Sequence, residues 1–283
     1  MPAVHLVKAL FAAALALPSV LADSDGPMVP NYEVHLQLDP TVVLNSSYSL
    51  NADVLDEFAM PDTVTEKNVQ YIDTVDKALD AQGWSCRIRS IENKSGFDLT
   101  YKWRLAINNS DIDGALNTAL DDGWNSGQGK YKAQVDWYLS SEELSVQRDH
   151  TASASGYSGT EEPSEQDSQS LLIDNAPKMF DDWVYSGWGT TELGSGVIYG
   201  PVLTMASAGT WNGVELDIEV WPIENAAGTG IDYLVEASFK TSNYTFASVG
   251  RTELQDLLTS KGWFLDESNS KEAMVLANYH PSS

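Results

Sequence analysis

The sequence predicts an α+β protein in which antiparallel strands form a sandwich or a barrel with helices around it. Two patterns support this prediction. Six segments alternate apolar and polar residues with the period of two that marks a strand with one apolar face. Between them lie segments whose apolar residues recur every three or four positions, as in amphipathic helices. Both patterns occur throughout the chain, so we expect one domain over residues 23–283.

Each of the six predicted strands has an apolar face and a polar face. In "FDLTYKWRL", for example, Leu99 and Trp103 lie on the apolar face, whereas Thr100 and Lys102 lie on the polar one. Six strands of this kind are typical of an antiparallel sandwich or barrel. The predicted strands are residues 32–38, 85–91, 97–105, 132–139, 214–221 and 232–240.

Three predicted helices end in the same way, with a glycine followed by a tryptophan. The glycine is expected to take the left-handed conformation that stops a helix, and the tryptophan to fold back onto the helix. A fourth helix is expected over about 170–188, where Pro177 limits its start. The first three segments are 73–84, 111–124 and 248–263, which end in Gly83-Trp84, Gly123-Trp124 and Gly262-Trp263.

Residues 150–170 differ in composition from the rest of the chain. The segment is rich in Ser, Gly and Glu and has no hydrophobic period. Predicted strands of the same kind lie on both sides of it, so it does not indicate a domain boundary. We expect an exposed, mobile or disordered insertion.

The first 22 residues have the pattern of a secretory signal peptide. Lys8 precedes an apolar run from about Leu10 to Leu17, and Val20 and Ala22 occupy the positions that a signal peptidase reads. The alternative is a membrane anchor, but the run is shorter than the roughly 20 residues that a spanning helix needs. We therefore expect cleavage after Ala22 and a secreted, extracellular protein.

Four asparagines lie in N-glycosylation sequons without proline at the middle position. A single sequon is weak evidence, but four behind a signal peptide indicate a glycoprotein. The predicted acceptors are Asn45, Asn93, Asn108 and Asn243.

The net charge of the chain narrows its possible partners. The chain has a formal net charge of −25, which disfavours binding to nucleic acid and to anionic membranes.

The chain has a single cysteine, Cys86, so an internal disulfide is excluded. No His or Asn motif surrounds Cys86, which we interpret as a small buried apolar residue and not as a nucleophile.

Arg87 and Arg89 stand out in so acidic a sequence. On a strand their side chains point to one face, about 7 Å apart, while Cys86 points to the other. Two guanidinium groups at this spacing repel each other unless water or an anion lies between them. They belong either to a solvated outer face or to an anion-binding site.

The segment around the two arginines resembles the signature of the CYTH, or triphosphate tunnel metalloenzyme, superfamily. A weaker resemblance lies in "GVELDIEVWP" and "DYLVEASFK", so that the likeness covers most of the chain from about Asn31 to Tyr279. The residues that carry the first and stronger part are Tyr71, Asp73, Thr74, Leu79, Gly83, Arg87, Arg89, Thr100 and Lys102.

This resemblance implies an eight-stranded antiparallel barrel with a polar interior that binds phosphate chains through basic residues and Mg²⁺ or Mn²⁺ through acidic ones. Arginine forks suit phosphate oxygens, and hard divalent cations prefer carboxylates. Carried over by position, the phosphate-binding residues are Arg87, Arg89 and Lys102, and the metal ligands are Glu33, Asp217, Glu219 and Glu236. Lys240, on a polar strand face, is a further candidate for phosphate binding. Asp136 lies on a polar strand face and could also reach the tunnel.

The chain departs from the family pattern on its first strand. The family has Glu-x-Glu-x-Lys, whereas here Glu33 is followed by His35 and Gln37. Glutamine lacks the charge of lysine, and histidine suits Zn²⁺ or Mn²⁺ better than Mg²⁺. No basic residue lies between Gly200 and Val214, so we expect much of the positive charge for a triphosphate to be missing.

These departures favour a secreted binding or interaction protein with weak or no catalysis. Its partner would be a phosphate-containing small molecule or an extracellular protein. The alternative is a metal-dependent phosphohydrolase acting on tripolyphosphate or nucleoside triphosphates, which the retained arginines favour. A glycosidase with paired carboxylates ranks last, since packing explains Trp84, Trp124 and Trp263 better than sugar binding does.

Overall fold

The computed structural model describes residues 25–279, so the predicted signal peptide at 1–22 lies outside the described residues. Within this range the chain forms nine strands and eight α-helices around one barrel. The strands are β1 (Asn31–Leu38), β2 (Thr65–Asp73), β3 (Trp84–Ile91), β4 (Phe97–Ala106), β5 (Lys132–Trp137), β6 (Glu142–Ala152), β7 (Val197–Trp211), β8 (Val214–Glu224) and β9 (Ile231–Thr241). The helices are α1 (Pro40–Val43), α2 (Ala52–Glu57), α3 (Ile112–Asp121), α4 (Glu165–Asp174), α5 (Lys178–Asp181), α6 (Trp188–Gly194), α7 (Tyr244–Ser260) and α8 (Lys271–Asn278).

The strands form a closed barrel in the order β1-β5-β6-β4-β3-β2-β7-β8-β9, and β9 pairs with β1 to close it. The predicted barrel and the α+β class are confirmed. Nine strands form the barrel, close to the predicted number of about eight. One pair differs from the predicted antiparallel arrangement, since β1 runs parallel to β5. The first strand lies between β5 and β9, so its two neighbours come from opposite halves of the chain.

The barrel has a polar interior and an apolar exterior. On β1, Val34 and Leu36 point outwards and are fully buried under the surrounding helices, while Glu33 and His35 line the interior. The outer apolar faces form two cores: one lies between β3–β6 and α3–α6, and the other between β1, β8, β9 and the helices α2 and α7. Burial of these faces holds the barrel together and leaves its interior free for polar side chains.

All six predicted strands are present, and three others were missed. Strands β2, β6 and β7 carry weak alternation, since "TEKNVQYID" and "EELSVQRDHTA" begin with polar residues on both faces. In β7, Gly200 and Pro201 interrupt the pattern. These strands are specified by their neighbours in the barrel more than by their own periodicity.

The helix predicted over 73–84 is wrong. Strand β2 runs up to Asp73, and the chain then forms a loop with a single 3₁₀ turn at Asp80–Gln82. The Asp73 carboxylate accepts hydrogen bonds from the backbone N–H groups of Thr74, Leu79 and Asp80, at 2.7 to 2.9 Å. An aspartate that collects backbone donors in this way stabilises a loop in competition with a helix.

The helix predicted over about 170–188 is broken into three. Helix α4 begins earlier, at Glu165, and ends at Asp174 before Pro177. Helix α5 lasts a single turn, and Gly187 in the left-handed conformation precedes α6. The helices predicted over 111–124 and 248–263 are confirmed as α3 and α7.

The three Gly-Trp pairs have the predicted conformation. Gly83, Gly123 and Gly262 all have positive φ, between 70° and 98°. The following Trp84, Trp124 and Trp263 are at most 6% exposed and belong to the apolar cores. Cys86 is likewise buried in the outer core of β3, where burial raises the pKa of its thiol well above the usual value.

Part of the 150–170 segment has defined contacts with the barrel. The Glu162 carboxylate accepts from the Ser90 backbone N–H at 2.7 Å, and Asn68 donates to the Thr160 carbonyl at 3.0 Å. Residue 152 ends β6 and residue 165 begins α4. The mobility of the segment remains a prediction.

The four sequon asparagines, Asn45, Asn93, Asn108 and Asn243, are all exposed, so attached glycans would meet no packed core. Their glycosylation remains a prediction. Among the helices of residues 25–279, none has the length and apolar character needed to cross a membrane.

Candidate phosphate-binding tunnel

The barrel interior is a cavity of about 560 Å³, a size typical of small-molecule sites. Although the chain is strongly acidic, eight of its 16 Lys and Arg residues line this cavity. They are Lys67, Arg87, Arg89, Lys102, Arg104, Lys132, Lys240 and Lys271. Strands β2, β4 and β5 and helix α8 supply cations that the segment 200–214 lacks, but seven carboxylates line the same cavity. The expected shortage of positive charge for a triphosphate stays a prediction.

Arg87 and Arg89 both line the tunnel from β3. The Arg87 guanidinium donates to Thr100 Oγ1 at 3.2 Å, and Arg89 contacts Asp98 at 3.4 Å. The positive charge of Arg87, followed by burial, lowers the pKa of Arg89. In the part of the chain that the structure describes, the buried Nε atoms of both arginines have no hydrogen-bond partner. Such donors are suited to an acceptor from an anion.

The two predicted phosphate-binding lysines also line the tunnel, but each contacts a carboxylate. Lys102 Nζ lies 2.7 Å from Asp136, and Lys240 Nζ lies 3.0 Å from Glu33. Lys102 is mostly buried, whereas Lys240 is 61% exposed. A phosphate ligand would have to share these lysines with their carboxylates.

Glu219 and Glu236, two of the predicted metal ligands, face each other from paired strands. They are register partners across β8 and β9, and the ammonium group of Lys271 contacts both carboxylates at 2.8 Å. Lys67 contacts the other oxygen of Glu219, also at 2.8 Å. Burial alone would raise the pKa of Glu219, but Lys271 and Lys67 hold it well below its usual value.

The other two predicted metal ligands, Glu33 and Asp217, also line the cavity. Burial raises the pKa of Asp217. Glu33 is the register partner of Asp136 in β5 and of Lys240 in β9, so these three side chains lie side by side. Of the four predicted acids, Glu33, Asp217 and Glu219 thus line the cavity, and the buried Glu236 contacts His35 and Lys271 of the cavity lining.

His35 lies among three carboxylates, those of Glu33, Asp136 and Glu236. Its Nδ1 is 2.9 Å from Glu236, and its Nε2 is 3.6 Å from Asp136 and 3.9 Å from Glu33. The ring stacks on Tyr138 with 4.7 Å between centroids. Burial alone would lower the pKa of His35, but the carboxylates, Glu236 first, raise it to about 10. The imidazole is therefore a cation at neutral pH.

Glu33, His35 and Asp136 form a group of potential metal ligands, with one ligand atom each within 4.8 Å of one another. The protonated imidazole would have to lose its Nε2 proton before that nitrogen could bind an ion. The Gln134 amide also donates to Glu33 at 2.6 Å and to Asp136. With Lys102 and Lys240 in contact as well, the carboxylates of this group are already paired within the protein.

The residues therefore fit a divalent cation poorly in both places. Around Glu219 and Glu236 the side chains of Lys67, Lys271 and His35 already supply positive charge. Hard cations need carboxylate oxygens that are free to coordinate. The carboxylates of Glu33, Asp136, Glu219 and Glu236 suit a metal by residue type, but each already contacts cationic side chains of the protein itself.

Several residues of the tunnel cannot be assigned to it from the sequence. Lys67 lies on β2, whose weak alternation does not predict a strand, and Lys271 lies on a short helix without a motif. Arg104 and Lys132 had a usable signal, since both lie on polar faces of predicted strands beside assigned residues. Arg104 pairs with Glu272 of α8. Burial alone would lower the pKa of the Arg104 guanidinium, but the Glu272 carboxylate raises it.

Comparison with known proteins gives matches only at the level of structure. None of the known protein-family models matches this chain, and no curated protein matches it either. A solved structure of a proposed adenylyl cyclase from Hippeastrum, reported to have a dominant triphosphatase activity, is similar with a TM-score of 0.54. The two chains are 13% identical, and the likeness covers 88% of this chain and 96% of the other.

A second solved structure, a proposed adenylate cyclase from Bacillus halodurans, gives a TM-score of 0.48 at 12% identity, covering 88% of this chain and 97% of the other. The conclusion about the fold rests on the Hippeastrum protein. At such low identity the likeness shows the fold and not the activity. This chain therefore shares its barrel fold with the Hippeastrum protein, in agreement with the predicted tunnel-like barrel.

Proposed function

We propose that the tunnel binds a short phosphate chain, such as tripolyphosphate or the phosphates of a nucleotide, in a secreted protein with weak or no catalysis. The observation that carries this proposal is the pair Arg87 and Arg89. Both guanidinium groups line the cavity and have buried Nε donors without a partner among the described residues. A phosphate chain offers closely spaced anionic acceptors for such donors.

Weak or absent catalysis follows from how the acids are paired. Hydrolysis in a metal-dependent site needs carboxylates that can hold the ion beside the phosphate. Here Glu219 and Glu236 contact Lys271, and Asp136 contacts Lys102. The imidazolium of His35 adds a further positive charge where the family pattern has an acid.

The second candidate is a metal-dependent phosphohydrolase acting on tripolyphosphate or nucleoside triphosphates. The grouping of Glu33, His35 and Asp136 favours it. If an ion displaced the His35 proton, these residues would hold it, with Mn²⁺ suiting the imidazole better than Mg²⁺. Such an ion would supply charge stabilisation to phosphoryl transfer.

A glycosidase has less support. Trp84, Trp124 and Trp263 are buried and offer no exposed platform for a sugar ring. A phosphate-containing small molecule is the partner that the tunnel supports. An extracellular protein partner remains a prediction.

The proposal is tested by measuring binding and phosphate release in parallel with the purified mature protein. Tripolyphosphate and ATP are supplied with Mg²⁺, with Mn²⁺ or with EDTA. We expect binding under all three conditions and little turnover. Metal-dependent turnover that is lost in Asp136→Asn and in the Arg87→Ala, Arg89→Ala double variant would favour the second candidate, and absence of both binding and turnover would contradict both.

A further inference from the structure

We propose that the ammonium group of Lys271 takes the place of a divalent cation between Glu219 and Glu236. The inference deepens the proposed function, and only its consequence for phosphate binding rests on that function. The tunnel then carries a cation of its own at this position, and the site is independent of metal.

The first step of the argument is the need for positive charge at this position. Glu219 and Glu236 are register partners on adjacent strands, and their side chains point to the same side of the barrel wall. Glu236 is 1% exposed and Glu219 is 16% exposed. Two carboxylates this close and this buried repel each other unless cations neutralise them. Lys67 contacts Glu219 and His35 contacts Glu236, but among the described residues only Lys271 contacts both acids.

The second step is the position of Lys271 Nζ. It lies 2.8 Å from Glu219 Oε2 and 2.8 Å from Glu236 Oε1, so one ammonium group bridges the two acids. A divalent cation bridging two carboxylates would need the same oxygens. The lysine and the metal therefore exclude each other.

The third step is that Lys271 is held in place by the fold. It is the first residue of α8, whose N-cap is Ser270. Val275 and Leu276 of the same helix pack into an apolar cluster with Tyr71 and Trp221. The Lys271 ammonium also lies 5.4 Å from the centre of the Trp221 ring, which favours a cation there.

A lysine in this position can also meet a ligand. An ammonium group has three N–H donors, and Glu219 and Glu236 account for two of them. The third remains for water or for a phosphate oxygen in the cavity, which Lys271 lines. We therefore expect tripolyphosphate binding to be insensitive to EDTA.

The test measures the binding of Mn²⁺ alone, without phosphate, by the loss of the electron paramagnetic resonance signal of free Mn²⁺. The wild-type protein is compared with Lys271→Ala. We expect the variant to bind one more equivalent of Mn²⁺ than the wild type. The gain should disappear in Lys271→Ala combined with Glu219→Gln, because the bridging carboxylates are then incomplete.

The matched control is Lys132→Ala. Lys132 also lines the cavity but contacts one carboxylate, Asp149 at 3.3 Å, and does not bridge a pair. We expect no gain of Mn²⁺ in this variant. An equal gain there would show that any lost tunnel cation has the same effect and would overturn the specific role of Lys271.

A second arm covers the case in which Lys271→Ala does not fold. Mn²⁺ binding by the wild type is compared with Glu219→Gln and Glu33→Gln. The proposal is overturned if the wild type binds Mn²⁺ and this binding is lost in Glu219→Gln but kept in Glu33→Gln. Mn²⁺ binding by the wild type that does not depend on Glu219 supports the proposal.

The two proposals can fail separately. If only the proposed function is wrong, the protein does not bind phosphate, and the Mn²⁺ results stay as described.

Discussion

His35 shows most clearly how one residue changes the character of this tunnel. It stands on β1 where the family pattern has an acid, and it lies among three carboxylates, Glu33, Asp136 and Glu236. A carboxylate in its place would add negative charge and favour a metal. An imidazole whose pKa is raised to about 10 instead adds positive charge and stabilises the ionised form of the neighbouring carboxylates.

The pKa of His35 leads to a prediction about stability and pH. Its folded-state pKa of about 10 lies above the usual 6.5, so its contribution is complete below pH 6.5 and is lost as the pH rises towards 10. Relative to His35→Gln, the wild type should lose about 1.4 kcal/mol of unfolding free energy for each pH unit in this window. Urea unfolding at several pH values measures this difference.

The control for this series is His150→Gln, which removes an exposed histidine of the same barrel. It should not reproduce the slope between pH 6.5 and 10. If the free-energy difference between the wild type and His35→Gln were independent of pH, His35 would not be held as a cation by its neighbours.

At the scale of single elements, the turn before β3 brings the start of this strand close to β4. Gly83 has a φ of 75°, and a Cβ there would lie 2.8 Å from the Arg104 carbonyl oxygen. The Gly83 carbonyl in turn accepts from the Arg104 backbone N–H at 2.9 Å. The glycine thus allows β3 and β4 to approach closely at the end of the tunnel wall.

Gly83→Ala should therefore destabilise the protein. The left-handed conformation alone costs an L-residue about 1–2 kcal/mol, and the contact with the Arg104 carbonyl adds to it. Thermal and urea unfolding measure the effect. The matched control is Gly129→Ala, because no atom lies within 4 Å of a Cβ at that position. Equal stability of the two variants would contradict the close approach of β3 and β4.

The elements differ in how far the sequence could predict them. The strands with clean alternation, such as β4 and β8, were predicted because their apolar faces lie under helices and their polar faces line the tunnel. Strand β7 and the loop after Asp73 were not, since barrel pairing and local side-chain hydrogen bonds decide them. Such contacts join distant residues and leave no periodic signal.

The candidate site was predictable to a similar degree. Strand alternation places Arg87, Arg89 and Lys102 on one face, and all three line the tunnel. The pairing of Glu219 and Glu236 with Lys271 could not be predicted, because this lysine reaches them from a helix distant in sequence. The sequence indicates which residues are present in the tunnel, and the fold decides which of them are neutralised.

The whole molecule places lysines, arginines and carboxylates together in the interior of its barrel. It carries a net charge of −25, yet half of its basic residues line one cavity. An acidic exterior disfavours long anionic polymers such as nucleic acid, whereas a small phosphate chain that enters the tunnel meets closely spaced cations. The charge distribution therefore supports a small anionic ligand.

The measurement that tests this account most directly is calorimetric titration of tripolyphosphate into the wild type and into the Arg87→Ala, Arg89→Ala double variant. Hydrogen bonds to charged groups contribute about 1.5–3 kcal/mol each, so the double variant should bind roughly 100-fold more weakly or worse. Arg148→Ala is the control, since Arg148 lies outside the cavity lining and faces the Tyr131 ring.

We predict saturable binding by the wild type and by Arg148→Ala, with strong loss in the double variant. The absence of binding by the wild type, or equal affinity of the wild type and the double variant, would contradict the claim that the arginine pair binds a phosphate chain.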